Sequence, residues 1–136
     1  MYEIERKYLV KQKKYAKLLL KYLKFKLKPL NIKQAYLNEV PLEFPSGLKF
    51  SREEAIKVKE DGGILRIRIQ DKEAFLTAKG KTTGISRLEL EDKVNYEYGL
   101  ALIKAQKFLE KDRYRYKRFE IDFFKGNLDG LILIEI

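Results

Sequence analysis

Pairs of like charge recur two positions apart along this chain of 136 residues. Residues two apart point to the same face of an extended strand, so each pair places two like charges side by side. Like charges at this distance repel each other unless an ion of opposite sign lies against them. The spacing therefore predicts divalent cations at the acidic pairs and multiply charged anions at the basic pair. The pairs are Glu3 and Glu5, Arg66 and Arg68, Glu89 and Glu91, and Glu120 and Asp122.

The segments that carry these pairs alternate apolar and charged residues, as half-buried strands do. An ordinary antiparallel sheet with its charged face in water would show the same alternation. The same-sign pairs favour a closed sheet, whose charged faces point inward and whose apolar outside is covered by helices. We therefore expect a mainly β, α+β fold built on a closed eight-stranded antiparallel barrel with a charged lumen. The segments are "YEIERKYLV", "IKQAYL", "ILRIRI", "AFLTAKG", "SRLELED", "KDRYRYK", "RFEIDFF" and "LILIEI".

Cations and anions are nearly balanced on the predicted inner face. One interpretation is a self-neutralising network of ion pairs, but removing so many charges from water for structure alone is costly. A ligand with several phosphates bound through Mg²⁺ or Mn²⁺ would use both sets, because guanidinium and ammonium groups bind phosphoryl oxygens and carboxylates bind hard cations. The cations are Lys7, Arg66, Arg68, Lys79, Arg87, Lys111 and Arg113, and the anions are Glu3, Glu5, Glu89, Glu91, Glu120, Asp122 and Glu135.

Two helices are predicted outside the strands. In "KKYAKLLLKYLKF" the residues Tyr15, Leu18, Leu19, Tyr22 and Leu23 form one apolar stripe, with lysines on the other side. Such a helix could lie on a membrane, but packing against its own sheet is the favoured interpretation. The second helix is expected over Tyr96 to Leu109. The stretch between residues 38 and 61 contains Pro41 and Pro45, and it predicts a loop with a short helix near "SREEA".

Composition limits the chemistry and the setting. The formal net charge of +10 favours partners that carry negative charge. The chain has no Cys and no His, so thiolate and imidazole chemistry are excluded for its own side chains. We expect a single domain over residues 1–136, and a cytoplasmic location because neither a membrane span nor a signal peptide is evident.

The ordered motifs resemble those of the CYTH superfamily, the triphosphate tunnel metalloenzymes. "EIERKYLV" resembles the family's ExExK signature, and the form of this segment is most similar to the small prokaryotic inorganic triphosphatases. "LRIRI", "LTAKG", "SRLELE", "KDRYRY" and "FEIDFFKGNLDGLILIE" follow in the family's order as its RxR, TxK, RxExE, KxR and terminal motifs. The resemblance spans nearly the whole chain.

This resemblance implies a metal-dependent enzyme that hydrolyses or cyclises a triphosphate inside the barrel. It assigns the seven cations above to triphosphate binding and Lys7, Glu5 and Lys79 to catalysis. It assigns the Mg²⁺ or Mn²⁺ site to Glu3, Glu5, Asp122 and Glu135, with Glu120 in support. Glu89 and Glu91 are the acids that orient the cations or hold a second metal.

Two features depart from the family pattern. The stretch between residues 38 and 61 is longer than in the compact members, which leaves the local strand register open. The chain ends at Ile136, where the family usually continues with a second acid after Glu135. We expect the α-carboxylate of Ile136 to lie about one residue step, ~3.3 Å, from the position of that acid.

Several functions stay open at the level of the sequence. Hydrolysis of inorganic triphosphate is the favoured one, ahead of a class IV-type adenylate cyclase and a thiamine triphosphatase, since no pocket for an organic head group is evident. A nucleic-acid-binding barrel and a catalytically silent polyphosphate or nucleotide binder are the alternatives from other classes. We expect a triphosphate-containing small molecule as substrate, no membrane or nucleic-acid partner, and a homodimer as the oligomer to test.

Overall fold

The structure, a computed structural model, describes residues 2–4, 6–11, 13–81 and 86–136. Antiparallel strands dominate these ranges, and no helix within them is long and apolar enough to span a membrane. The helices are α1 (Lys13–Lys26), α2 (Arg52–Glu60) and α3 (Tyr96–Lys104). The strands are β1 (Tyr2–Ile4), β2 (Lys7–Leu9), β3 (Leu30–Tyr36), β4 (Ile64–Gln70), β5 (Glu73–Lys79), β6 (Ser86–Val94), β7 (Leu109–Tyr116), β8 (Phe119–Phe124) and β9 (Ile132–Glu135).

The chain forms two compact units, of which the first comprises Met1–Ile4 and Lys33–Phe108. Its strands pair in the antiparallel order β1, β6, β5, β4. The end of β3 continues this order, because the Leu37 amide donates to the Leu65 carbonyl at 2.8 Å. Alternate residues of β4 and β5 are apolar and buried, so one face of the sheet lies in the core and the other carries the charged side chains.

Both helices of the first unit pack on the apolar face of the sheet. The capping box of Ser51 and Glu54 starts α2, which confirms the short helix predicted near "SREEA". A Cβ at Gly99 would lie 2.5 Å from that of Ala74, so glycine allows α3 to approach β5 closely. The prediction that α3 extends to Leu109 was wrong. The helix ends at Lys104, and the Gln106 side chain donates to the Leu102 carbonyl at 2.9 Å just beyond that end.

The second unit comprises Glu5–Ile32 and Leu109–Ile136. Its strands pair in the antiparallel order β7, β8, β9, β2. The start of β3 lies beside β7, where the Asn31 side chain donates to Glu110 at 2.8 Å and to Asp112 at 3.2 Å. Its core holds Tyr114 and Phe123, whose rings meet edge to face at 5.7 Å.

Helix α1 packs on this core through a stripe that shares only Leu19 and Leu23 with the predicted one. Leu23 is buried, and Ala16, Leu19, Leu20 and Leu27 pack against the same cluster. Three residues of the predicted stripe instead face solvent. They are Tyr15, Leu18 and Tyr22, at 55%, 63% and 48% exposure. Leucine occupies positions 18–20 consecutively, so apolar spacing alone does not determine which side of this helix meets the sheet.

The mainly β antiparallel fold with helices is confirmed, and each predicted strand segment holds a strand. The first segment is divided into β1 and β2, and Glu5 between them lies outside the described residues. Strand pairing in the described ranges ends at β1 and at β2 and does not close the sheet. The closed barrel is therefore not established by these pairings.

Candidate functional site

The charged face of the first unit, called here the β4–β6 face, is organised by strand register. Arg66 on β4 lies opposite Thr77 on β5, which lies opposite Glu91 on β6. The Thr77 hydroxyl donates to Glu91 Oε1 at 2.6 Å, and Arg66 Nη2 lies 3.7 Å from the same oxygen. Glu91 thereby lies against one edge of the Arg66 guanidinium, and Thr77 orients Glu91.

Arg66 also carries a buried hydrogen-bond donor with no partner. The residue is 7% exposed, and its Nε atom has no hydrogen bond in the described part of the chain. Leaving a buried N–H unpaired costs about 1–3 kcal/mol. A ligand oxygen at this position would remove that cost, so the buried Nε marks a place for an acceptor.

The other cations of the β4–β6 face are held by neutral or acidic partners. Arg68 Nε donates to Gln34 Oε1 at 3.0 Å, and Arg87 Nε donates to the Gly80 carbonyl at 2.7 Å. Lys79 Nζ lies 4.0 Å from Glu89 Oε2. Glu89 and Glu91 therefore each lie beside a cation of this face.

The charged face of the second unit, called here the β7–β9 face, contains a buried ionic triad. Arg113 donates through Nε to Asp122 Oδ1 at 2.7 Å and through Nη2 to Asp122 Oδ2 at 2.9 Å. Lys111 Nζ lies 2.7 Å from Oδ2 as well. All three side chains are nearly inaccessible to solvent, and each carboxylate oxygen of Asp122 contacts at least one cation.

Burial and charge act in opposite directions on this triad. Burial alone would raise the pKa of the Asp122 carboxyl, but the hydrogen bond from Arg113 and the charges of Lys111 and Arg113 outweigh it, so the pKa falls below its ordinary value. Burial alone would lower the pKa of Arg113, yet its hydrogen bond to Asp122 and the nearby carboxylates raise it. Asp122 is therefore ionised at neutral pH.

A second row of charges crosses the β7–β9 face. Glu120 and Glu135 lie directly opposite each other on β8 and β9. Arg115 Nε donates to Glu120 at 2.9 Å, and Arg113 Nη1 lies 3.4 Å from the same carboxylate. Lys7 pairs with Glu135 at 3.8 Å. Two carboxylates in opposite positions repel unless cations separate them, and here cations flank the pair on both sides.

Comparison with known proteins identifies the family. Residues 1–127 match the CYTH domain family. The chain belongs to this family. The inorganic triphosphatase of Acetivibrio thermocellus is 35% identical to this CYTH protein over an alignment of 85 positions, and the match covers 53% of this chain and 51% of the relative. The chain thus aligns with about half of that relative's length.

Solved structures agree with this membership. The inorganic triphosphatase NE1496 is 26% identical with a TM-score of 0.54, over 98% of this chain and 73% of that one. HpAC1 from Hippeastrum, whose structure is described as revealing a dominant triphosphatase activity, is 16% identical with a TM-score of 0.58, over 99% of this chain and 78% of that one. At that identity the likeness to HpAC1 shows the fold alone.

The carboxylates of the CYTH protein are of the ligand type that hard divalent cations prefer. Glu120 and Glu135 face each other across β8 and β9, and oxygen ligands are those that Mg²⁺ and Mn²⁺ prefer. The side chains of Glu3 and Glu5 lie outside the described residues. Within the described ranges no cluster of three or more acids is arranged to hold a metal.

The predicted site residues are found on both charged faces. Arg66, Arg68, Lys79, Arg87, Glu89 and Glu91 lie on the β4–β6 face, and Lys7, Lys111, Arg113, Glu120, Asp122 and Glu135 lie on the β7–β9 face. Strand β1 places position 3 opposite Arg87, although nothing further is described for Glu3.

Sequence reasoning missed two contacts, namely Gln34 with Arg68 and the Gly80 carbonyl with Arg87. Alternation in "IKQAYL" could have placed Gln34 on the face opposite Ala35. Nothing in the sequence signals that the Gly80 carbonyl accepts from an arginine, because a backbone carbonyl has no residue-type signature.

Proposed function

We propose that this CYTH protein is a metal-dependent inorganic triphosphatase that hydrolyses tripolyphosphate or a related triphosphate. The buried Arg66 Nε without a partner is the observation that carries the proposal. A phosphoryl oxygen would accept from it, and a guanidinium can bind phosphate through two parallel N–H groups. The inorganic triphosphatases of Acetivibrio thermocellus and NE1496, to which the chain is similar, support the same reaction.

The cations of both charged faces are assigned to the substrate in this proposal. They would neutralise the phosphoryl oxygens, whose negative charge is redistributed in the transition state. Lys7 and Lys79 are assigned to the reacting phosphoryl group. Because the chain contains no His, a carboxylate is the side chain best suited to accept the proton of the attacking water, and we assign that role to Glu5. The proposed substrate ligands are Lys7, Arg66, Arg68, Lys79, Arg87, Lys111 and Arg113.

The acids Glu3, Glu5, Glu120 and Glu135 are the proposed ligands of Mg²⁺ or Mn²⁺. When bound, the metal would supply positive charge to the phosphoryl oxygens and lower the pKa of the attacking water. Asp122 is a further proposed metal ligand, provided that its present partners move away. Its oxygens accept from Arg113 and Lys111, so the substrate must first draw those two cations toward its phosphates.

A closed eight-stranded tunnel is part of the same proposal. Residues 2–4 pair with β6 and residues 7–9 pair with β9, so the N-terminal segment gives each of these strands an antiparallel neighbour. A closing strand of a barrel pairs on both sides in this way.

The test compares phosphate release from tripolyphosphate, ATP and thiamine triphosphate, with and without Mg²⁺ or Mn²⁺. We expect tripolyphosphate to be the fastest substrate, and EDTA to abolish turnover. The variant Arg66→Ala should lower kcat/KM by about 30- to 1000-fold, since loss of one preorganised donor costs roughly 2–4 kcal/mol in the transition state.

Arg118→Ala is the matched control, because Arg118 is exposed and lies over the Phe119 ring. It should leave kcat/KM within about twofold. Cyclic AMP as the main product from ATP would contradict the hydrolase, and equal losses in both variants would contradict the assignment of Arg66.

A further inference from the structure

Helix α1 has a second apolar stripe, which the core of its own unit does not cover. The residues that pack on that core include Leu19 and Leu23. The members of the second stripe are exposed, and the most accessible of them is Phe25, at 84%. With about 100° between successive residues, they lie within one arc of the helix and along about 15 Å of its length. The second stripe, called here the outer stripe, consists of Tyr15, Leu18, Tyr22 and Phe25.

A row of lysines adjoins the outer stripe on the exposed side of α1. Each of these lysines is exposed, and Lys14 Nζ lies 5.1 Å from the centre of the Tyr15 ring. The helix contains no acidic residue that could offset their charge. Exposed aromatic and leucine side chains beside a row of lysines are typical of helices that lie in the plane of a membrane interface. The lysines are Lys14, Lys17, Lys21 and Lys24.

The net charge of the chain is concentrated in the segment that contains α1. Residues 6–38 hold 11 of the 30 lysine and arginine residues and none of the 20 acidic residues. The rest of the chain therefore has 19 cations and 20 acids, which almost cancel. Most of the proposed triphosphate ligands lie in that balanced part. The excess charge of +10 is thus a property of the α1 segment, and the proposed substrate does not account for it.

We propose that α1 docks on an anionic membrane surface, with the outer stripe in the interface and the lysine row against the lipid phosphates. Charge complementarity supports this partner, since each lysine close to an anionic bilayer strengthens binding about fivefold. The apolar side chains would leave water at the same time, which adds a hydrophobic contribution. This role is independent of the proposed function. It replaces the expectation of no membrane partner, because part of the stripe predicted to pack on the sheet is exposed.

Two other partners fit the outer stripe less well. A second copy of the chain would bring two lysine rows together, and like charges oppose that contact. Four side chains of one helix also offer little area, whereas a stable dimer buries roughly 800 Å² per partner. A single-stranded nucleic acid would stack its bases on aromatic rings, but Leu18 lies within the stripe and offers no ring. Lipid acyl chains accept leucine and aromatic side chains alike.

The first experiment measures co-sedimentation of the full chain with vesicles. One set consists of phosphatidylcholine, and the other of phosphatidylcholine and phosphatidylserine in equal parts. We expect the protein to bind the anionic set at low salt and to be released in ~0.5 M NaCl, because salt screens exposed charges. Phe25→Ala should lower the partition coefficient about tenfold, since it removes a large apolar side chain from the interface. Lys21→Gln combined with Lys24→Gln should lower it about 25-fold.

Matched controls remove the same kinds of side chain from positions outside α1. Leu42→Ala removes an apolar side chain that is 90% exposed in the first unit. Lys104→Gln combined with Lys107→Gln removes two exposed lysines of the same unit, so the net charge falls by the same amount as in the α1 variant. Both controls should partition as the wild type does.

A fluorescence measurement tests insertion directly. The chain contains no Trp, so Leu18→Trp places a single indole in the outer stripe, at a position that is 63% exposed. Its emission should shift to shorter wavelength when anionic vesicles are added, and lipids with brominated acyl chains should quench it. Leu42→Trp is the control, and its emission should show neither change.

The outcomes separate this role from other partners and from the reaction. Absence of binding to anionic vesicles at low salt would overturn the proposal, and so would equal losses in the α1 variants and their controls. Binding of single-stranded DNA, or a dimer in light scattering, that depends on Phe25 while vesicles are not bound would assign the stripe to that partner instead. Tripolyphosphate turnover should be the same in Phe25→Ala and the wild type. A wild type that binds vesicles without turnover would contradict the proposed function alone.

Discussion

At the scale of single residues, Asp122 shows how burial and pairing decide the state of a charge. Its carboxylate is 1% exposed and accepts hydrogen bonds from Arg113 and Lys111. Deleting one partner of a buried ion pair lowers the free energy of unfolding by more than the intact pair contributes to it. The remaining charge then stays buried with less compensation. Asp122 therefore stabilises the β7–β9 face whether or not it also binds a metal.

The substitution Asp122→Asn tests this stabilisation. It should lower the free energy of unfolding by about 3–5 kcal/mol at pH 7, because the buried Arg113 and Lys111 would lose the carboxylate that both of them contact. The measurement is urea denaturation monitored by circular dichroism between pH 2 and pH 7. Since the folded-state pKa is lowered, the contribution is present above the ordinary pKa and is lost as pH falls through the folded value.

The pH slope distinguishes this effect from a simple loss of packing. Wild-type stability should fall on acidification below the ordinary pKa of 3.8, and Asp122→Asn should lose that part of the slope. Asp129→Asn, at an exposed carboxylate of the same unit, is the control and should match the wild type. An unchanged slope in Asp122→Asn would contradict the lowered pKa.

Residue types and spacing predicted which residues lie on a charged face, but not which contacts they make. Arg66 and Arg68 share one face as the period of two requires, yet only Arg68 has a partner for its Nε. The partner of Arg68 is Gln34 on β3, which is 34 positions away along the chain. Spacing along one strand carries no information about a partner that register brings from another strand.

At the scale of elements, strands were predicted more accurately than the faces of helices. A strand has only two faces, so alternation fixes which residues are buried once one of them is known. The side chains of a helix point in all directions around its axis. When a helix has more apolar residues than one stripe can hold, the sequence does not determine which of them are buried. In α1 the exposed Tyr15, Leu18 and Tyr22 lie beside the buried arc that contains Leu23.

Two leucines of α1 test which arc is buried. Leu23→Ala should lower the free energy of unfolding by about 2–5 kcal/mol, because Leu23 is 1% exposed and its removal leaves a cavity in the core of the second unit. Leu18→Ala removes the same atoms at a position that is 63% exposed, and it should change stability by less than about 0.5 kcal/mol. Chemical denaturation measures both, and equal losses would favour the stripe predicted from the sequence.

At the scale of the whole molecule, composition indicates the charge of a partner but carries no information on how the segments of the chain are grouped. A formal charge of +10 indicates an anionic partner, in line with the proposed triphosphate substrate. The sequence shows no linker between residues 1 and 136, whereas the structure groups them into two compact units. Each unit takes its segments from distant parts of the chain, a feature that no local composition signal can reveal.

The excess positive charge leads to a last prediction, on the stability of the entire chain. Cations outnumber anions over the chain as a whole, so a polyanion that binds the folded state should stabilise it. At a tripolyphosphate concentration of ~100 times Kd the gain is about 2.7 kcal/mol, which corresponds to roughly 10 °C in Tm for a protein of this size. Differential scanning fluorimetry with EDTA, which prevents turnover under the proposed mechanism, measures this shift.

Two comparisons separate specific binding from general charge screening. The shift should shrink in ~0.5 M NaCl, because salt weakens exposed charge interactions, and it should be largely lost in Arg66→Ala, which lacks the buried guanidinium. Sulfate at the same ionic strength screens charge but cannot span several cations, so it should raise Tm much less. If sulfate and tripolyphosphate were equally effective in the wild type and in Arg66→Ala, the stabilisation would come from screening alone, and the buried donor of Arg66 would have no part in anion binding.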